Sequence, residues 1–224
     1  MTDAHCHVVR GESRHFLCEP CDLASAGPGD MLFYGWHPWS LDGFDIDLLR
    51  SRLKADPRAG VGEIGLDRLR ERTIPGEMRR AFELQLALAA ELSRPVALHG
   101  AKCWGEVVKA CAAFAGRIPA FVFHGFSRSP GLLPDIAAMN GYVSIGPALL
   151  NDHAVNYREL ARAVPAGRLL VESDATAANG AETPHVEEIA ALLAKLRGEP
   201  VEALAAAVEA NADGIANFKG RNID

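Results

Sequence analysis

Two histidines lie two residues apart in the segment Asp3-Ala-His5-Cys-His7. Alternate residues of a β-strand point to the same side, so His5 and His7 would share one face with Asp3. Two neutral imidazoles placed side by side can bind one metal ion, and an acidic neighbour can orient one of them. The segment alone is equally compatible with two solvated histidines on a surface strand.

Other residues of the types that bind metal ions stand at the ends of short apolar runs. Five further runs lead to such a residue, namely His37, Glu63, His99, His124 or Asp174. The carboxyl ends of parallel strands converge on one face in α/β folds, so these side chains are expected to meet the histidines of the first segment. A lone histidine after a strand is more often structural. Imidazoles and carboxylates together suit zinc, manganese or iron, or magnesium if water and phosphate oxygens complete its shell.

The elements that must position these residues alternate along most of the chain. Apolar runs of four to seven residues, rich in Val, Ile, Leu or Phe and flanked by Gly or Pro, are typical of buried parallel strands. Seven are well defined, and an eighth, HFLCE at 15–19, is weaker. The seven are DAHCHV at the start of the chain and the runs at 31–36, 59–65, 95–99, 119–124, 141–146 and 168–173.

Amphipathic segments of helical periodicity lie between the later strands, and this alternation implies βαβ units with a parallel sheet. Eight strands predict an α/β fold, a small (β/α)₈ barrel of the TIM type, with an open doubly wound sheet as the alternative. Only about seven residues separate His7 from the strand at 15–19, so the first βα unit is expected to be shortened. No linker or repeat divides the chain, which predicts one domain over 1–224. Helices are predicted at 77–93, 104–114, 132–139, 155–164, 184–196 and 200–216.

The bulk composition limits the class of protein. The net charge of -6 provides no global basic field, which argues against non-specific nucleic-acid binding without excluding a nuclease. The five cysteines include Cys18-Glu-Pro-Cys21 but no second CxxC, so free thiols in a reducing compartment are expected. No signal peptide or membrane-spanning run is visible, so a cytoplasmic protein with no membrane association is expected. No obligatory protein partner is evident.

Several motifs occur in an order and spacing that resemble the TatD family of metal-dependent hydrolases, which are amidohydrolase-like TIM barrels. The resemblance extends from Asp3 to about Asp174, and the chain is similar to a short variety of the family. HxH together with GEIGLD carries most of its specificity. The motifs are HxH, Gly-Trp-His-Pro (35–38), Gly-Glu-Ile-Gly-Leu-Asp (62–67), Phe82-Glu-Leu-Gln85-Leu, the strand ending at His99, His124-Gly-Phe-Ser and Glu172-Ser-Asp174.

This resemblance implies two divalent metal ions per chain, Mg²⁺, Mn²⁺ or Zn²⁺, and a deoxyribonuclease that acts from DNA ends. Glu63 would bridge the two ions, and Asp174 would bind the first ion and face the attacking water. Each ion would also be held by a pair of histidines, the first by His5 and His7 and the second by His99 and His124.

The sequence departs from the family at several positions that concern the substrate. Ala101 replaces a basic residue and is followed by Lys102, and Arg128 stands where the family has the glycine of FSG. Lys102 and Arg128 are candidates for binding a phosphate at the barrel rim. His37 is a candidate for contacting the substrate, with a structural hydrogen bond as the equal alternative. The alternative for Lys102 and Arg128 is that each is a solvated charge in a loop. Arg68, Arg70 and Arg72 follow GEIGLD at the barrel mouth, and for these three the solvated charge is the favoured interpretation. Trp39 could stack on a base or pack at the barrel mouth.

A two-metal site can activate water, polarise a phosphoryl oxygen and stabilise the leaving oxygen. Asp174 is the candidate general base, and Glu63 is the second catalytic candidate; Glu172 could support a metal ligand from behind. The predicted function is therefore a metal-dependent deoxyribonuclease of exonuclease type. The alternatives are hydrolysis of a small phosphoester, an amide or a lactone, or a non-catalytic metal-binding module. Many hydrolases of amides and lactones with this metal architecture bridge their two metal ions with a carbamylated lysine at a strand end. No predicted strand of this chain ends in a lysine, which favours the nuclease over these alternatives.

Overall fold

The computed structural model describes residues 1–11, 13–21, 23–69 and 72–220. Eight parallel strands form one sheet whose order in space follows the order in the chain. This order and the helices between the strands confirm the predicted TIM-type barrel and exclude the doubly wound sheet. The strands are β1 (Asp3–Cys6), β2 (His15–Cys18), β3 (Met31–Tyr34), β4 (Gly60–Asp67), β5 (Val96–Ala101), β6 (Phe121–Phe123), β7 (Gly141–Ile145) and β8 (Leu169–Val171).

Six helices begin and end within two residues of their predicted bounds. The seventh, α1, was not predicted from the sequence, although its signals are present. The carboxylate of Asp45 accepts hydrogen bonds from the first-turn backbone N–H groups, and the helix buries Leu49 and Leu53. The helices are α1 (Ile46–Ala55), α2 (Gly76–Leu92), α3 (Trp104–Ala112), α4 (Leu133–Ala138), α5 (Val155–Ala163), α6 (Val186–Arg197) and α7 (Val201–Ala216). No described helix is long and apolar enough to cross a membrane.

The barrel closes between β1 and the chain that follows β8 through a short seam. The backbone N–H of Asp174 donates to the carbonyl of His5 at 3.0 Å. The buried Asp3 carboxylate accepts the backbone N–H of Ser173 at 2.9 Å and its hydroxyl at 2.5 Å. Asp3 thus joins the two edges of the barrel, whereas the sequence had suggested an acidic residue that orients an imidazole.

The first βα unit is shortened, as predicted: none of the described residues between β1 and β2 is helical. The last helix, α7, contacts the amino ends of both strands. Thr2 donates a hydrogen bond from its hydroxyl to Glu209 at 2.8 Å, and Arg14 forms a salt bridge with Asp213 at 2.6 Å. The start of the histidine-bearing strand is therefore fixed by the C-terminal helix.

Two local features fix β4 and β5, which carry two of the predicted metal ligands. A Cβ atom at Gly65 would lie 2.0 Å from the carbonyl oxygen of His99, so only glycine permits this approach of the two strands. Just before β5, the buried Arg94 donates to the carbonyl oxygens of Leu53 at 2.9 Å and Ala59 at 3.3 Å. Arg94 thereby satisfies carbonyl groups at and beyond the end of α1.

Candidate metal centre

The Glu63 carboxylate lies buried at the centre of the site, between two pairs of histidines. Its Oε2 atom is 3.4 Å from Nε2 of His5 and 3.7 Å from Nε2 of His7. Its Oε1 atom is 2.8 Å from Nδ1 of His99 and 2.9 Å from Nε2 of His124. Each oxygen of one carboxylate therefore serves a different pair of imidazoles.

Asp174 stands beside the first pair, just beyond the end of β8. Its Oδ1 atom is 3.7 Å from Nε2 of His5 and 4.0 Å from Nε2 of His7. The backbone of Asp174 has a φ of 51°, a left-handed conformation that Asp adopts more readily than most residues. Half of the side chain is exposed, so this carboxylate meets solvent while its neighbours are enclosed.

The donor atoms suit a divalent cation. Nε2 of His5 is fully buried and has no hydrogen-bond partner among the described residues, which is costly for a polar atom unless a ligand occupies the place. Nitrogen and carboxylate oxygen donors together suit zinc, manganese or iron. Within the described part of the chain, three sets of residues place ligand atoms within 4.8 Å of one another, namely His5–His7–Asp174, His5–Glu63–His124 and His37–Glu63–His99.

Cys18, the last residue of β2, supports both histidines of the first pair. Its carbonyl oxygen lies 2.8 Å from Nδ1 of His7, which must therefore carry the proton and leave Nε2 free as a ligand. Its sulfur lies 3.4 Å from Nδ1 of His5. Burial, with the nearby Glu63 carboxylate, raises the pKa of this thiol well above its usual value, so the sulfur is a neutral S–H.

Carboxylates support the second pair from behind. Nε2 of His99 donates to the buried Asp67 at 2.7 Å, which leaves Nδ1 directed at Glu63 as a potential ligand atom. Nδ1 of His124 faces Glu172 at 3.5 Å without a hydrogen bond to it, so Asp67 is the better-placed of the two carboxylates. Such partners fix the tautomer and the ring orientation of metal-binding histidines.

His37 differs from these four histidines in its hydrogen bonding. Its Nδ1 accepts the backbone N–H of Trp39 at 3.1 Å, so the neutral ring carries its proton on Nε2. That Nε2–H lies 3.5 Å from Oε1 of Glu63. Although His37 is close enough to be grouped with the ligands, its hydrogen bonding fits a donor to a substrate oxygen.

The charge state of the centre follows from its burial and its internal pairing. Burial opposes ionisation of Glu63, but His124 and His5 outweigh it and hold the pKa of this carboxyl well below its usual value. Burial likewise opposes a charge on His124, but Glu63 and Glu172 raise its pKa well above the usual value. Burial and the neighbouring His5 lower the pKa of His7. A metal ion must therefore displace a proton from His124 but not from His7.

Two cavities adjoin the centre. The larger, of about 680 Å³, is lined by Glu63 and four histidines of the site together with Pro20, Cys21 and residues 176–178. The smaller, of about 430 Å³, lies beyond Asp174. No lysine or arginine is among the described residues that line either cavity.

The structure separates the predicted substrate residues. His37 lines the larger cavity, whereas Lys102 and Arg128 are exposed residues that line neither cavity. Arg68 forms a salt bridge with Glu106 at 3.1 Å, and Arg72 is exposed. The third arginine of that loop, at position 70, lies outside the described residues.

Two functional partners were missed from the sequence. Asp67 ends GEIGLD, and its spacing of four from Glu63 places both on one side of β4, which is a usable signal. For Cys18, the only signal in the sequence was its position at the end of a weakly predicted strand.

Comparison with known proteins places these features in a family. The model of the family described as TatD related DNase matches residues 4–217. The curated 3'-5' ssDNA/RNA exonuclease TatD of Klebsiella pneumoniae (strain 342) is 32% identical over 163 residues, covering 67% of this chain. The enzyme of that name from Escherichia coli (strain K12) is 30% identical over 172 residues, covering 71% of this chain and 66% of the relative. The match spans only 62% of the Klebsiella relative's length.

Solved structures of low sequence identity share the fold. YJJV, a TatD homolog from Escherichia coli K12, superimposes with a TM-score of 0.79 at 20% identity, covering 97% of this chain and 98% of that one. A TatD family hydrolase from Entamoeba histolytica gives a TM-score of 0.74 at 12% identity, covering 96% and 97%.

Proposed function

This chain belongs to the TatD family, and from that premise we propose that it is a metal-dependent deoxyribonuclease that removes nucleotides from an end of single-stranded DNA. The observation that carries the proposal is the Glu63 carboxylate, whose two oxygens each face a separate pair of histidines. This arrangement suits two ions that share one bridging ligand, as in hydrolases that act on phosphodiesters. Relatives carrying the name 3'-5' ssDNA/RNA exonuclease support the same reaction class.

Two ions, Mg²⁺, Mn²⁺ or Zn²⁺, would supply Lewis-acid activation of water and of the phosphoryl oxygen. We assign to each ion one of the histidine pairs, with Glu63 between them and Asp174 on the first ion. The pairs are His5 with His7 and His99 with His124.

The other groups of the site bind substrate and move the proton. Asp174 is half-exposed beside the first pair, so its carboxylate can accept a proton from the attacking water. The Nε2–H of His37 can donate to a phosphoryl oxygen at the floor of the larger cavity. Since no basic residue lines that cavity among the described residues, the metal ions and His37 would hold the phosphate.

The test uses an end-labelled single strand of DNA and protein that has been chelated and then reloaded with one metal. We expect stepwise shortening by the wild type and its loss in Asp174→Asn. Asp135→Asn, which alters an exposed carboxylate on α4, is the matched control and should retain activity. Bound metal without any cleavage of DNA would contradict the proposal.

A second candidate function is hydrolysis of a small phosphoester. The absence of basic residues from the described cavity walls favours it, because a DNA strand usually meets a positively charged groove. Bis-p-nitrophenyl phosphate, assayed beside the DNA, separates the two candidates. Hydrolysis of this ester without any cleavage of DNA would support a catalytic metal centre and exclude the exonuclease function.

A further inference from the structure

Trp39 differs from the other two tryptophans of the chain in its exposure. Trp104 is 2% exposed and packs on Phe126 at 5.1 Å between ring centroids. Trp36 is partly buried and packs on Phe44 at 5.6 Å. Trp39 is 46% exposed, so packing alone does not account for it.

The exposed ring of Trp39 is nevertheless held in place. Its backbone N–H is bound to His37, and its side chain hydrogen-bonds to Asp67. The ring centroid lies 4.9 Å from that of His37 and 5.8 Å from that of His99, edge to face in both cases. An aromatic side chain that is fixed before binding loses little conformational entropy when a ligand packs on it.

This ring lines the larger cavity, whose floor is Glu63 and its histidines. The remaining wall is largely apolar and includes Val8, Pro20, Ala177 and Ala178, while Glu19 and Thr176 are its polar members. A group that enters beside the phosphate therefore meets an aromatic ring and apolar side chains, and no lysine or arginine among the described lining residues. A flat, uncharged ring is the ligand chemistry that such a wall recognises.

We propose that Trp39 binds the nucleobase of the terminal nucleotide by stacking, while its phosphate lies at the metal centre. This inference rests on the proposed function and names the substrate group that the larger cavity takes. Stacking on an aromatic side chain is tolerant of base identity, since every base has a π-face. Recognition at Trp39 is therefore sequence-independent.

The experiment compares two probes, deoxyadenosine 5′-monophosphate and 2-deoxyribose 5-phosphate, on metal-loaded protein. Wild type should bind the nucleotide about tenfold more tightly than the sugar phosphate, the scale expected of one stacked base. Trp39→Ala should bind both probes equally, whereas Trp39→Phe, which keeps a ring against His37 and His99, should retain the preference for the nucleotide. Competition with a chromophoric chelator measures the metal affinity of both variants and so reports on the metal centre separately. Leu150→Ala alters an exposed apolar side chain that lines neither cavity and should behave as wild type.

Tryptophan fluorescence gives a second readout. The nucleotide should quench the emission of wild type, whereas Trp39→Phe, which keeps a stacking ring, should bind it without that quenching. Equal affinity of wild type for both probes, or a full preference retained in Trp39→Ala, would overturn the inference. If the wild type shortens DNA but binds the nucleotide no more tightly than the sugar phosphate, the inference about Trp39 fails and the proposed function stands. If metal-loaded wild type neither shortens DNA nor binds the nucleotide, the proposed function fails with it.

Discussion

The sulfur of Cys18 lies 3.4 Å from Nδ1 of His5, while the carbonyl oxygen of the same residue lies 2.8 Å from Nδ1 of His7. One residue of β2 thus orients both imidazoles of the HxH segment. The high pKa of the buried thiol makes it a hydrogen-bonding partner rather than a thiolate ligand.

Replacing the thiol should weaken metal binding without removing a ligand. Cys18→Val deprives Nδ1 of His5 of its partner but keeps the backbone carbonyl that serves His7, so we expect metal affinity to fall about 10–100-fold. The metal affinity of Cys18→Ser, which keeps a polar partner for His5, should fall less. Competition with a chromophoric chelator measures the affinity. Cys111→Val, at an equally buried cysteine on α3, is the control; an equal loss there would assign the effect to packing.

Asp67 is expected to set the orientation of His99. Burial opposes its ionisation, but hydrogen bonds, first that from His99, lower the pKa of Asp67, so the folded protein favours the carboxylate. Asp67→Asn keeps the shape and removes the charge, and should weaken binding of one metal ion by about tenfold or more. Titration with Mn²⁺ followed by electron paramagnetic resonance counts the ions at each affinity. Two unchanged affinities would exclude this role.

The metal-free protein should lose stability as the pH rises through the folded-state pKa of His124. That pKa is raised in the fold, so the protonated ring stabilises the protein fully below the unfolded value of about 6.5, and this stabilisation disappears at higher pH. A metal ion replaces the same proton, so its affinity rises over that interval. The Tm difference between metal-loaded and chelated protein should therefore grow as the pH rises above the unfolded value of about 6.5 and through the raised pKa of His124.

The matched pair for this pH dependence is His124→Gln and His153→Gln. His153 is exposed, so its replacement should leave the profile unchanged. His124→Gln should remove most of the pH dependence of the Tm difference. A Tm difference that is constant with pH in the wild type would contradict the assignment of the displaced proton to His124.

Arg94 should matter to stability and not to catalysis. It is buried and donates to backbone carbonyls of Leu53 and Ala59 far from the cavities. Arg94→Met leaves those carbonyls without a partner and should reduce the free energy of unfolding by about 2–3 kcal/mol. Arg94→Lys keeps the charge but not the fork of donors, so it should recover only part of the loss. Urea unfolding measures both variants, and a change below about 0.5 kcal/mol would show that water replaces the bonds.

Much of the barrel was predictable because its strands are short apolar runs and most of its helices are strongly periodic. The convergence of the six ligand-type residues was predictable, because most of them stand at the ends of those runs and the parallel topology brings these ends together. Helix α1 was missed although Asp45 marks its start and Leu49 and Leu53 form its buried face. The role of Asp3 could not be predicted, because its partner Ser173 is reached only when the barrel closes. Cys18 and Asp67 act through distances and tautomers that spacing does not encode.

The seam between Asp3 and Ser173 joins residues 170 positions apart, and His5 and Asp174 are paired across it. A contiguous fragment must span at least residues 5–174 to contain the first histidine pair together with the Asp174 carboxylate. Contacts of such high sequence separation are expected to form late, because the loop they close is about three quarters of the chain. An ion bound there stabilises only the closed barrel, so its binding free energy should oppose global unfolding rather than local opening. Metal uptake during refolding should consequently mark the last step of assembly.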